Sequence, residues 1–314
     1  MLEQVGLPQE IHMTRVLSYN IQSGGTYRTD KLATIIEATR ADIIGLTEAT
    51  DPQVAEELAQ KLGMHLSISG EAKNHTDWHV VLLSRLPVKD IQTHVRPDIL
   101  TKQHLLEVTF EENNGNLLTV FVVHLTANFY KGSVSNRIRQ TEMQEILRTM
   151  AARQGTPHLL MGDFNAVVPG ESIKTSALLS YFLNPTQAYP KQNSDSGAQA
   201  ELDLAIRSSI RALEALPGNT FLSAITDSAS LLYAPSASLE LLDEAGYVDC
   251  YRRINPRSPG LTYPSPIPAG RIDFIFASPE LTPRLSTSYV VVKAAGVAGY
   301  EASDHLPVFA EFAL

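Results

Sequence analysis

The chain has 314 residues, with 25 Lys+Arg against 34 Asp+Glu, a formal net charge of −9 and a pI near 5.5. That balance argues against nonspecific nucleic-acid binding, which needs a basic surface to displace counterions. No run reaches the roughly 18 apolar residues of a membrane span, and the single cysteine, Cys250, excludes an internal disulfide framework and suits a reducing cytoplasm. Residues 1–13 carry acids and lack a basic flank ahead of an apolar stretch, so no signal peptide is expected and the expected location is cytoplasmic.

Arg15-Val16-Leu17-Ser18-Tyr19-Asn20 reads as a strand ending on a polar amide. Gly24-Gly25 turn the chain, and Thr29 or Asp30 is expected to cap a helix running to Thr39. Asp42-Ile43-Ile44-Gly45-Leu46 has the continuous apolar pattern of a strand covered on both faces, and it ends at Thr47-Glu48. A helix from Pro52 to Leu62 and a strand at Leu66-Ser67-Ile68 follow. His79–Ser84 is a further buried strand. Val88–Val95, Gln103–Phe110 and Leu117–Val123 form an antiparallel meander whose last turn is Asn113-Asn114-Gly115-Asn116 and whose last strand delivers His124.

Ser135–Arg153 is the clearest helix, with Ile138, Met143, Ile146, Leu147 and Met150 on one side and its charges read as a solvated face. Pro157-His158-Leu159-Leu160-Met161 is a strand ending in Gly162-Asp163-Phe164-Asn165. The pattern loosens over 171–237, read as an insertion or lid within a single domain, with a polar loop at Lys191–Gly197 and an amphipathic helix at Glu201–Leu216. Leu239–Ala245 is a short helix. A Pro-rich loop then leads to a strand over Gly270–Phe276, and Val290–Val292 and Val308–Phe312 finish the sheet. Helices alternating with strands and meanders predict α/β layers, and the many short apolar runs favour two packed sheets with helices outside.

Polar groups recur at the ends of otherwise apolar strands: Asn20, Glu48, His124, Asp163, Asn165, Asp273, Asp304 and His305. A bare buried carboxylate is costly, so such groups need cations, protons or donors. Glu48 and Asp304 are hard oxygen ligands and Asn20 a neutral one, a set that suits Mg²⁺ with waters completing its shell. Asp273 is placed to orient His305, Asp163 to activate water, and Asn165 to donate to a developing oxyanion. His124 offers a second imidazole for a phosphate oxygen or a leaving group. Each has a structural alternative: Asn20 as a turn former, Glu48 as a cap for the helix at Pro52, His124 as a satisfied strand-end histidine, Asp273 as a partner of Arg271. Gly-x-Ser-x-Gly, Walker-type and zinc-spaced His/Cys motifs are absent.

Taken in order, Leu17–Ile21, Ile43–Glu48, Val81–Arg85, Val123–Leu125, Gly162–Asn165, Arg271–Ile275 and Ser303–Pro307 resemble the motifs of the endonuclease/exonuclease/phosphatase superfamily. The resemblance implies a deoxyribonuclease I-like four-layer α/β sandwich and Mg²⁺- or Mn²⁺-dependent cleavage of phosphate esters. It also implies metal ligands at Glu48, Asn20 and Asp304, water and phosphate orientation by Asp163 and Asn165, and phosphate contact or proton transfer by His124 and the Asp273–His305 pair. Thr47 stands where many members have Gln, and Gln22 where apurinic endonucleases carry Asp. Pro268-Ala269-Gly270-Arg271 replaces the 5-phosphatase Trp-Cys-Asp-Arg. The look is closer to bacterial metal-dependent hydrolases of the superfamily, including the Gly162–Gly170 and Ala245–Arg252 segments. The expected substrate is a small or lipid-derived phosphate ester, with a nuclease as the alternative. A silent binding module would have lost one of Glu48, Asp163, Asp273 or His305, and all are present.

Overall fold

The computed structural model describes residues 13–69, 80–96, 99–100, 105–127, 133–168, 171, 173–174, 177–178, 181 and 237–313. The first sheet contains β1 (Met13–Asn20), β2 (Ile43–Thr47), β3 (His65–Ile68), β4 (Val81–Ser84), β11 (Leu285–Val290) and β14 (Val308–Ala313), in the order β11-β14-β1-β2-β4-β3. The second contains β5 (Val88–His94), β6 (Leu105–Glu111), β7 (Leu117–His124), β8 (His158–Asp163), β9 (Val248–Asp249) and β10 (Asp273–Ala277), in the order β5-β6-β7-β8-β10-β9. Both sheets are mixed: β1 runs parallel to β2 and β7 parallel to β8, and the other pairings are antiparallel. A small hairpin, β12 (Lys293–Ala294) with β13 (Val297–Ala298), lies outside them.

Three apolar layers hold the four structural layers together. Val16, Ile43, Leu82, Val108, Val122, Met161 and Ile275 fill the space between the sheets. Gly45 of β2 allows the close approach, because a Cβ there would meet the Met161 methyl at 2.7 Å. Helices α1 (Thr29–Thr39) and α2 (Pro52–Leu62) cover the outer face of the first sheet through Ile35, Ile36, Leu58 and their neighbours. Helices α3 (Ser133–Met150) and α4 (Ala237–Glu244) cover the second through Met143, Ile146, Met150 and Leu242. This is the expected four-layer α/β sandwich. The short helix α5 (Cys250–Ile254) carries the buried Cys250 into the inter-sheet core.

Several local expectations are corrected. Neither Thr29 nor Asp30 caps α1; both lie inside it, and Arg28 at the cap position has no side-chain acceptor to offer the helix N–H groups, its guanidinium donating instead to the carbonyls of Ala302 and Gln22. The final edge strand is Leu285–Val290 rather than Val290–Val292, since its alternating exposure hides it from a search for apolar runs. The charges of α3 are not all solvated: Arg139, Glu142 and Glu145 are buried. Arg271 pairs not with Asp273 but with Asp249 and Glu171, its Nη2 2.6 Å from Glu171 Oε1. Asp51, not Glu48, caps α2, accepting from Gln53 N at 3.1 Å. The proposed loop at Lys191–Gly197 and helix at Glu201–Leu216 lie outside the described residues.

At the start of β8, His158 stands edge-on to the rings of Phe121 and Tyr247. Its Nδ1 lies 2.7 Å from the Thr156 carbonyl and its Nε2 2.7 Å from the Tyr247 hydroxyl, which fits a neutral ring donating to the carbonyl and accepting from the phenol. Burial holds its pKa below the ordinary 6.5, while the Thr156 carbonyl, Glu280 and Glu107 pull it up and Arg153 pushes it down. A depressed folded pKa gives a contribution complete above the unfolded value and lost as pH falls through the folded one. In urea titrations, His158→Gln is therefore expected to lose less stability than the wild type between about pH 7 and about pH 5. Equal losses in both proteins would exclude this histidine as a source of acid sensitivity.

Candidate active site

Strand register assembles the site. Across the second sheet, His124 of β7 is opposite Asp163 of β8, and Asp163 is opposite Asp273 of β10, so the three side chains share one end and one face. Across the first sheet, Asn20 of β1 is opposite Thr47 of β2, which puts Glu48 immediately beyond. Asp304 and His305 enter just before β14, which pairs with β1 through Ser18 and Val308. The sheets meet at these ends.

Asp163 Oδ2 is the centre of the cluster. It accepts from Asn20 Nδ2 at 3.0 Å and lies 3.5 Å from His124 Nε2 and 3.9 Å from His305 Nε2. The same Asn20 amide group donates to Glu48 Oε1 at 3.0 Å, while its oxygen accepts from Gln22 N at 2.9 Å. Glu48 Oε2 accepts from Ser23 N at 2.8 Å. His305 Nδ1 lies 2.9 Å from Asp273 Oδ2. Asn165 N donates to Asp163 Oδ1 at 2.9 Å, and Asn165 Nδ2 donates to the Leu125 carbonyl at 3.0 Å.

Asp163, Asp273 and Asn20 are each 1% exposed, whereas Glu48 and Asp304 are half-buried and mark the open side. Burial, followed by the neighbouring Asp273 carboxylate, pushes the Asp163 pKa up to about 8, against His305 and its hydrogen bonds. Burial raises Asp304 to about 6. Burial also works against a charged His305, but Asp273, with help from Asp163 and Asp304, holds its imidazolium well above the ordinary range. His124 is lowered to about 4 by burial, so it is neutral near pH 7 and offers a hydrogen bond rather than a full proton.

One ligand atom each from Glu48, Asp163 and His305 lies within 4.8 Å of the others. Asp304 is not in that group, although its charge and that of Glu48 act on each other. The buried Oδ1 atoms of Asp273 and Asp304 have no hydrogen-bond partner among the described residues. Oxygen donors in excess of the local positive charge suit a hard divalent cation. The site residues read from the sequence thus converge, with Asn20 serving here as a bridge between two carboxylates.

Uncharged groups that sequence reasoning passed over hold this arrangement. Thr262 Oγ1 accepts from the backbone N–H groups of Ile272 and Asp273, and its carbonyl accepts from Leu306 N. Ser303 Oγ donates to the Asn20 carbonyl at 2.7 Å and accepts from His305 N, tying the end of β1 to the segment that leads into β14 beside the site. The Tyr263 ring packs on His305 with centroids 4.7 Å apart. Only the Ser next to Asp304-His305 sat within a recognised motif; Thr262 and Tyr263 carry no local signal.

Glu48 and Asn165 both adopt left-handed φ values, 57° and 46°, which turn the chain sharply where the strands end. Gly162 has φ 148°, and a Cβ there would lie 1.7 Å from the Val123 carbonyl oxygen of the paired strand. Only glycine fits next to Asp163. Gly162→Ala is expected to destabilise the protein by about 3 kcal/mol or more, read as the shift in chemical denaturation. A change under about 0.5 kcal/mol would show that β7 and β8 can separate without cost.

The sequence profile described as the Endonuclease/Exonuclease/phosphatase family matches residues 17–305. Among solved structures, the chain is similar to an endonuclease/exonuclease/phosphatase from Beutenbergia cavernae DSM 12333, at 17% identity and a TM-score of 0.61 over 96% of this chain and 72% of that one. It is similar to an AP endonuclease from Archaeoglobus fulgidus, at 18% identity and a TM-score of 0.56 over 95% and 99%. A 3' phosphatase from Neisseria, bound to a product DNA hairpin, gives 17% identity and a TM-score of 0.56 over 95% and 99%. At these identities the structures bear on the fold. No curated protein matches the sequence.

Proposed function

Because the chain belongs to the endonuclease/exonuclease/phosphatase family, we propose that it is a divalent-metal-dependent phosphoesterase that hydrolyses a phosphodiester or phosphomonoester by in-line attack of water. The observation that carries this reading is the convergence of Glu48, Asp163 and His305 within 4.8 Å, with Asp273 bound to the far side of His305. Glu48, Asp304 and Asn20 are the residues assigned to hold Mg²⁺ or Mn²⁺, with Asp163 and His305 bordering the same space. When bound, the ion supplies Lewis-acid stabilisation of phosphate charge and a more acidic water.

The chain's own groups divide the remaining work. His305, kept as an imidazolium by Asp273, presents Nε2–H toward Asp163 and the space where a phosphate oxygen would gather charge. Once a bound cation offsets the surrounding negative charge that helps raise its pKa, Asp163 is the acceptor placed for a nucleophilic water, because Asn20 and Asn165 fix both of its oxygens. Asn165 spends one amide hydrogen on Leu125 and keeps a second for the phosphate. Neutral His124 adds one more N–H.

A small or lipid-derived phosphate ester agrees best with the −9 charge. The second reading, a DNA or RNA nuclease, is favoured by the AP endonuclease and DNA-bound phosphatase among the similar structures. Residues 171–237 are proposed as an insertion that shapes selectivity. In support, Lys174 N donates to the Ala269 carbonyl, and the Tyr181 ring meets Tyr263, the residue packed on His305. No helix among the described residues is long and apolar enough to cross a membrane.

Hydrolysis of bis(p-nitrophenyl) phosphate and p-nitrophenyl phosphate, with Mg²⁺, Mn²⁺ or EDTA, tests the main reading. Metal-dependent turnover is expected, with Glu48→Ala reducing it by about 100-fold or more. Absence of both turnover and divalent-ion binding would refute it. The nuclease reading predicts plasmid nicking that disappears in Asp163→Ala; esterase activity with no nicking or single-strand degradation would set it aside.

A further inference from the structure

Two buried charges on α3 take no part in the chemistry above. Arg139 and Glu142 are 4% and 3% exposed on a helix otherwise anchored by Met143, Ile146 and Met150. Both reach Thr126, and Arg139 also donates to Asn136 Oδ1. Glu142 Oε1 accepts from Thr126 Oγ1 at 2.6 Å and Glu142 Oε2 accepts from Thr126 N at 3.1 Å. Arg139 Nη1 donates to the carbonyls of Thr126 and Ala127, at 3.0 and 2.8 Å. The N–H, hydroxyl and carbonyl of Thr126 are therefore all held by the helix.

Thr126 follows the segment that builds the site. His124 ends β7, and Leu125 N donates to the Asp163 carbonyl at 2.9 Å. The Leu125 carbonyl receives the side-chain amide of Asn165. A displacement of Thr126 would carry the Leu125 carbonyl with it and release the Asn165 amide from its orientation. Burial raises the Glu142 pKa, with the Thr126 donors and Arg139 acting in the opposite sense. Arg139 and Glu142 act on each other through charge and meet at Thr126; buried charges add little net stability compared with apolar packing, so their contribution has to be sought in geometry.

We propose that Glu142 and Arg139 are positioning residues, a clamp from α3 on Thr126 that fixes the Asn165 amide and His124 relative to Asp163. The inference rests on the phosphoesterase reading for its catalytic consequence, but not for the geometry itself. Glu142→Ala is expected to lower kcat on bis(p-nitrophenyl) phosphate by about tenfold with KM nearly unchanged. In an Asn165→Ala background the same substitution should cost less than about twofold, because the group it positions is gone. A kcat within about twofold of wild type, or losses that multiply in the double variant, would overturn the proposal. Should Glu142→Ala fail to fold, Thr126→Val, which deletes only the hydroxyl donor, is expected to reproduce the kcat loss and Thr126→Ser to restore it; equal activity of the two would count against the clamp.

A second readout needs no turnover. The Asn165 side-chain amide, assigned in ¹⁵N spectra by its disappearance in Asn165→Ala, should be slow to exchange in the wild type and fast in Glu142→Ala or Thr126→Val. A wild type that neither turns over substrate nor binds a divalent ion would overturn the phosphoesterase reading and leave this exchange measurement to decide the clamp. Unchanged protection would overturn the clamp whatever the activity.

Discussion

The burial of negative charge around Asp163 is the constraint on which the rest of the site depends. Glu48, Asp163, Asp273 and Asp304 are brought to one end of two sheets, and among the described residues bonded to them His305 carries a compensating charge. Desolvation raises the cost of each added carboxylate. The upward shifts of Asp163 and Asp304 express that cost as retained protons. Asn20 spreads one amide between Glu48 and Asp163, which lowers the repulsion without neutralising it. On the proposed function, a divalent cation at the half-buried side, where Glu48 and Asp304 lie, would offset the same deficit without protonating the groups assigned to accept protons.

The two sheets carry this load because their registers leave few alternatives. A one-residue slip between β7 and β8 would turn His124 and Asp163 to opposite faces, and the contact of Gly162 with the Val123 carbonyl depends on the same alignment. The left-handed backbone at Glu48 and Asn165 adds strain of roughly 1–3 kcal/mol per residue, which the inter-sheet core and both helical layers must offset. Strain is concentrated where the strands end and chemistry is expected, as it should be if side-chain direction there matters more than backbone ease.

Much of this was legible in the sequence for a simple reason. β2, β4 and β8 are buried throughout, so they read as uninterrupted apolar runs, and a carboxylate at the end of such a run stands out. The illegible parts lack that contrast. β11 alternates in exposure, β9, β12 and β13 span two residues each, and Thr262 makes its contribution through a hydroxyl that resembles any loop residue. α3 misleads in the opposite direction: Arg139 and Glu142 satisfy the helical spacing of a polar face, yet that face meets Thr126 and Ala127 instead of water. Periodicity reports polarity around a helix, and says nothing of whether solvent or buried backbone lies opposite.

The site is supported from two separate sides. Asp163, Asn165 and His124 are held from the α3 side, through Thr126 and Leu125, by bonds wholly internal to the sandwich. His305 is held from the other side, by Asp273, Ser303 and the Tyr263 ring. Tyr263 belongs to the turn that pairs with Gly270 and touches Tyr181. Glu171 joins that side to the sheet through buried Arg271, which also rests on Phe274. Changes on the α3 side would disturb the groups around Asp163 for every substrate alike. Changes on the Tyr263 side would alter what packs next to His305 while leaving the carboxylate cluster in place. On the proposed function, selectivity would diverge along the Glu171–Tyr263 side without dismantling the strand ends assigned to the chemistry.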